Sequence, residues 1–134
     1  MTATTEGRNT KRRDGKQFSF PAAASLCLAG TIAVLNSSGN AEMGTTATGK
    51  VAVGVFDETV DNTAGVAGGV QVATRRGCFQ FANSASTDAI ANTDIGTTCY
   101  IVDNQTVAKT SGTNTRSVAG VVRAVDSAGV WVEF

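Results

Sequence analysis

Apolar positions in this chain recur with a period of two, in short runs separated by clusters of Gly, Ser, Thr, Asn and Asp. "QFSFP" (17–21) sets Phe18 and Phe20 to one side of a strand that Pro21 ends. "GTIAVLN" (30–36) runs into the turn signal "SSGN" (37–40). "KVAVGVFD" (50–57) alternates so that Val51, Val53 and Val55 share one face and Ala52, Gly54 and Phe56 the other. "GVQVATRRGCFQF" (69–81) alternates, breaks at Arg75-Arg76-Gly77 in a bulge or turn that Gly77 permits, and resumes with Phe79 and Phe81 on one face. "TTCYIVD" (97–103), "RSVAGVVRAVD" (116–126) and "GVWVEF" (129–134) complete the set, the last with Val130, Val132 and Phe134 opposite Trp131 and Glu133. About eight short strands, with turn signals every eight to twelve residues or so, predict an all-β fold, a small barrel or sandwich. At most one short helix is expected, in "STDAIANTDIG" (86–96), where Ser86 or Thr87 would cap it, Asp88 favour its N-terminus and Gly96 end it.

A fainter regularity lies at an offset of 66 residues: Gly30-Thr31 matches Gly96-Thr97, Lys50 matches Arg116 in charge, and Gly54-Val55 matches Gly120-Val121. The reading is two like hairpins, with chance similarity in a Gly- and Thr-rich chain as the alternative. The repeat bears on "GTTATGKV" (44–51), which fits the phosphate-loop pattern G-x-x-x-x-G-K up to its last position. There Val51 replaces the Ser or Thr that would hold Mg²⁺. A phosphate loop also leads into a helix N-terminus, whereas a period-two strand follows Lys50. The corresponding "TSGTNTRS" (110–117) keeps a basic residue and neither motif glycine. The match reads as coincidence, and no nucleotide is expected.

At 134 residues the chain has room for one core and one domain. Charged residues make up only 16%, below the roughly 25% of ordinary soluble domains, and they are unevenly placed. Residues 1–17 carry five bases (Arg8, Lys11, Arg12, Arg13, Lys16) against Glu6 and Asp14, a net of +3, and the rest carries −3. The first 16 residues have no apolar periodicity and are expected to form a flexible basic arm on a single β-rich domain, 17–134. Such an arm either docks on an acidic partner or nucleic acid, or serves only as a solubilising tail.

The chemistry-bearing residues exclude more than they suggest. The chain has no His, so it lacks the usual general base and commonest metal ligand. Cys27, Cys78 and Cys99 are widely spaced, form no C-x-x-C motif, and each lies in an apolar run, which reads as reduced, buried thiols. Arg75 and Arg76 could activate Cys78, but a strand position between glycine and an aromatic favours an inert thiol. The near pairs Asp57/Glu58/Asp61 and Asp88/Asp94 fall at polar turns and suit neither a glycosidase nor a Ca²⁺ loop. No catalytic residue, cofactor or metal site is expected, and the protein reads as no enzyme. The longest apolar stretch, 21–35, is too short and interrupted to span a bilayer, so no membrane partner is expected and the chain reads as cytoplasmic in origin.

"DIGTTCYIVDNQTVAKTSGTNTRSVAGVVRAVDSAGVWVEF" (94–134) resembles the closing segment of tailed-bacteriophage head-decoration, or capsid cement, proteins. "FQFANSASTDAI" (79–90) and "GVFDETVDNT" (54–63) fit the same pattern, so the resemblance covers about residues 17 to 134, and the arm matches in basic character only. It implies a non-enzymatic virion protein with a β-tulip-like barrel body. That protein would be made in the host bacterial cytoplasm and bind the outside of the expanded head, as a homotrimer at three-fold and quasi-three-fold positions. The implied partners are the major capsid protein and further copies of this chain. In that setting the arm residues Arg8, Lys11, Arg12, Arg13 and Lys16 are expected to meet acidic capsid surface, with the arm adding as a strand to capsid sheets. The alternatives are a small-barrel nucleic-acid-binding module with a basic tail, disfavoured by the acidic body, and a virion protein that binds host surface.

Overall fold

The computed structural model describes residues 2–134 and bears out the all-β expectation. Residues 17–75 build an antiparallel sheet of β1 (Gln17–Pro21), β7 (Gln71–Arg75), β5 (Val51–Phe56), β3 (Ile32–Leu35) and β4 (Ala41–Met43), in that spatial order. A two-stranded ribbon of β2 (Leu26–Cys27) and β6 (Val60–Asp61) accompanies it. Residues 78–133 close into a barrel in the order β10 (Thr106–Ala108), β8 (Cys78–Asn83), β12 (Gly129–Glu133), β11 (Val118–Asp126) and β9 (Thr98–Ile101). The break at 75–77 is therefore not a bulge within one strand but a bend between two strands. It carries the chain from the sheet into the barrel, with Gly77 at φ +154.

The helix expected over 86–96 does not form. Two single 3₁₀ turns, Ser86–Asp88 and Asn92–Asp94, stand there, and neither has the expected side-chain cap: their N-cap positions are Ala85 and Ala91. Ser86 itself sits at φ +56, which is incompatible with a right-handed helix start.

The 66-residue repeat is structural, and it extends well beyond a hairpin. The pairs Ile32↔Val55 and Val34↔Ala52 recur as Thr98↔Val121 and Tyr100↔Val118, with a register shift at the same place in both. Gly30 N–H donates to Phe56 O at 2.8 Å, and Gly96 N–H to Val122 O at 2.8 Å. The Thr31 hydroxyl donates to Leu28 O at 2.7 Å, and the Thr97 hydroxyl to Asp94 O at 2.6 Å. The flanking strands correspond too: Phe20↔Val72 on β1 and β7 matches Phe81↔Val130 on β8 and β12. Each half thus has the same five strands in the same order.

One residue separates the halves in their closure. Ala82 N–H donates to Gln105 O at 2.8 Å, helping β8 and β10 pair in parallel and seal the barrel. The matching position in the first half is Pro21, which has no N–H to give. Among the described residues the isolated parallel bridge Ala22↔Ala41 alone remains there, so the first half is a barrel that touches itself at one point.

Two apolar clusters result. One fills the first half with Ala22, Cys27, Ala33, Ala41, Phe56 and Val72. The other fills the second barrel, around Ile101, Val107, Val122, Val130 and Val132, and includes Ile32, Val34 and Val55 from the outer face of β3 and β5. This corrects the expected facing of β5. Val55 joins the second cluster while Val53 packs on the first and Val51 is exposed, so the three valines do not share a face. The cause is the register shift opposite Ala33–Val34, where Val53 stands unpaired between the Gly54 and Ala52 pairs and Gly54 at φ +123 takes up the bend.

The three thiols are free, but they are not alike. Cys27 and Cys99 are buried, and burial pushes the Cys99 thiol up to about 11. Cys78 is exposed, against expectation, because β8 turns Phe79 and Phe81 inward and so turns Cys78, Gln80 and Ala82 out. A thiol reagent at neutral pH should therefore modify one Cys per native chain quickly and the other two only on unfolding. In Cys78→Ser the fast phase should vanish.

Candidate functional site

The residues singled out for binding lie on the arm, and the fold decides what the arm is attached to. Among residues 2–16 there is no strand or helix, and every residue is exposed; Met1, the first residue of the expected arm, lies outside the described residues. Backbone hydrogen bonds here are local, among them Glu6 N–H to Thr4 Oγ1 at 3.3 Å, Thr10 N–H to Arg8 O at 3.1 Å and Lys16 N–H to Asp14 Oδ1 at 3.2 Å. The arm joins the body where Arg76 N–H donates to Lys16 O at 2.7 Å, one step beyond the β1–β7 ladder.

The predicted bases divide by position. Arg8, Lys11, Arg12 and Lys16 are exposed and make no ion pair among the described residues. Arg13 folds back, its guanidinium carbon 4.3 Å from the centre of the Phe18 ring, which a cation–π contact favours. Phe18 is in turn stacked near Phe20, with ring centres 6.4 Å apart. Arg13, Gln17, Phe18, Ser19 and Ala73 line a shallow depression of about 350 Å³ at this point.

Arg75 and Arg76, which the sequence pattern marks as a strand break and as neighbours of Cys78 but not as binding residues, complete the basic surface. The register Gln17↔Arg75 is what brings them to the foot of the arm. Arg75 pairs with Asp57 at 3.3 Å, whereas Arg76 has no ion-pair partner among the described residues. Beside this cationic group, β1 is an end strand of its sheet, and its outer edge from Gln17 to Phe20 carries no neighbouring strand among the described residues. Open edges of this kind accept or extend into a partner's sheet through main-chain hydrogen bonds.

The remaining charged residues are engaged within the fold. Lys50, the would-be phosphate-loop lysine, pairs through its ammonium with Glu42, and its backbone N–H donates to Ser117 Oγ at 3.1 Å. Arg116 reaches Asp88 at 3.2 Å and donates to Thr110 O at 3.1 Å. The Thr110 hydroxyl, and then Arg116, hold the Asp88 carboxyl below the usual carboxylate range. Val51 begins a strand, not a helix, so the geometry of a phosphate loop is not formed. Among the described residues no three His, Cys, Asp or Glu side chains gather as a metal site. No helix among them is long and apolar enough to cross a membrane.

No protein-family model, curated protein or solved structure matches the chain.

Proposed function

We propose that this is a structural virion protein that binds the outer surface of an expanded phage capsid and stabilises it against the pressure of the packaged DNA. The observation that carries the reading is the arm: a run of bases that form no ion pair among the described residues, leading directly into a sheet edge that has no neighbouring strand among them. The resemblance of residues 94–134 to head-decoration proteins supplies the partner, the major capsid protein, and the homotrimeric state. The bases Arg8, Lys11, Arg12, Arg13 and Lys16 meet acidic capsid surface, and the arm orders by strand addition. Ordering costs about 1–2 kcal/mol per backbone residue fixed, so a single arm binds weakly. A trimer offsets this, because once one arm is seated the others bind at high effective concentration.

The test is co-sedimentation with undecorated expanded heads and with unexpanded proheads, using the full chain and a chain beginning at Gln17. Saturable binding to expanded heads alone, weakened at least tenfold or so by loss of the arm, is the expected result, since several charge-assisted contacts disappear together. Binding to neither particle overturns the reading. Equal binding of DNA by the full chain, steeply salt-dependent, would replace it with nucleic-acid recognition.

A further inference from the structure

The two halves are joined by an asymmetric contact. The outer face of β3 and β5 packs on the end of the second barrel, leaving Ile32, Val34 and Val55 at most 6% exposed. The contact falls where β9 ends and β11 begins. Ile32 N–H donates to Asn104 O at 2.9 Å, the Thr46 hydroxyl to Val102 O at 2.6 Å, and the Ser117 hydroxyl to Ala47 O at 2.7 Å. In outline, the side of one barrel covers the end of the next.

The repeat places two surfaces where the same contact is unmade. On the side of the second barrel, Tyr100, Val118 and Val121 occupy the positions of Val34, Ala52 and Val55, and Val118 is 46% exposed. The corresponding end of the first barrel is an open pocket of about 370 Å³, lined by Phe18, Phe20, Val51, Ala52, Val53 and Arg76. Val51 there is 61% exposed. In the second barrel this end is filled: Phe134 takes the place of Arg76 and packs edge-on against Phe81, ring centres 5.7 Å apart. The equivalence of the two positions follows from their backbone bonds, Arg76 N–H to Lys16 O and Phe134 N–H to Gly77 O.

We propose that a second copy of this chain docks head to tail on these two surfaces. The β9–β11 side of one copy, centred on Tyr100 and Val118, seats on the open end of the first barrel of the next, around Val51. The contact that joins the halves within a chain is thereby repeated between chains. Each copy offers both surfaces, so the interface is heterologous and closes into a ring if its rotation allows. This deepens, and in that respect rests on, the self-association in the function proposed above, but the surfaces come from the internal repeat.

Sedimentation velocity of the full-length chain from micromolar to submillimolar concentration tests it, alongside Val51→Asp, Val118→Asp and their equimolar mixture. Both positions are exposed, and circular dichroism confirms that each variant is folded. Wild type is expected to sediment as an oligomer, each variant alone as a monomer, and the mixture as a dimer and nothing larger. In the mixture one intact end meets one intact side. A wild-type monomer throughout, an oligomer that survives either substitution, or a mixture that stays monomeric overturns the proposal. A monomer that still co-sediments with expanded heads would overturn the interface and leave the capsid reading standing. An assembling chain that binds no head would do the reverse.

Discussion

Gly54→Val should destabilise the fold by about 2–6 kcal/mol and lower its urea midpoint sharply. Two independent penalties meet at this position. Its φ of +123 is a conformation that β-branched residues rarely adopt, and the strain alone is worth about 1–3 kcal/mol. A Cβ would also lie 2.1 Å from the carbonyl oxygen of Arg75, backbone that cannot move without breaking the β5–β7 pairing. Forcing atoms into a packed site costs about 1–3 kcal/mol more. Set against the roughly 5–15 kcal/mol that holds an ordinary domain together, the sum removes a large part of the margin. Gly120, the repeat partner, faces the same obstacle, since a Cβ there would meet Glu133 O at 2.3 Å. Gly49 is the control: its φ is +73 but an added Cβ would meet no non-neighbouring atom within 4 Å among the described residues, so Gly49→Ala should cost about 1 kcal/mol. Urea unfolding of the three variants decides the matter. If Gly54→Val and Gly120→Val unfold at the wild-type midpoint, the close backbone approach is wrong.

These two glycines also show how far the sequence could be read. Gly54-Val55 and Gly120-Val121 are among the few landmarks of the repeat, and at both glycines an added Cβ would strike a neighbouring strand's carbonyl. Most other equivalent positions differ: Ile32 answers to Thr98, Val34 to Tyr100 and Arg76 to Phe134, so the duplication is stronger in the hydrogen bonds than in the letters. The all-β class was legible because strict period-two runs have no helical reading. The sheet to which each run belongs was not legible. Alternation reports two faces and cannot say that both are buried, as they are on β5, where Val55 and Phe56 enter different cores. The same limit hid the crossover at Gly77 and the exposure of Cys78. On the arm, charge identified the bases directly. That Arg76 stands at its foot, and that Arg13 settles on Phe18, depended on a β1–β7 register that no local pattern encodes.

Phe56→Ala is expected to cost about 3–5 kcal/mol and to lower the melting temperature by roughly 10–20 °C, in a single transition. Phe56 is 1% exposed and is the largest side chain of the first cluster, so its removal leaves a cavity that its small neighbours Ala22, Ala33 and Ala41 cannot fill. The more telling question is whether the damage stays in the first half. Two similar barrels in one chain could melt separately. Here they should not, because β3 and β5 serve both cores: Ala33 and Phe56 face the first cluster, while Ile32, Val34 and Val55 face the second. Loosening β5 therefore uncovers the end of the second barrel as well. Trp131 provides a reporter confined to that barrel, with its indole N–H donating to Asp126 Oδ2 at 3.2 Å. Its fluorescence transition in Phe56→Ala should shift to lower temperature together with the far-ultraviolet circular dichroism. If the Trp131 transition stayed at the wild-type temperature while part of the dichroism signal melted earlier, the halves would be separate folding units, and the shared strands would not couple them.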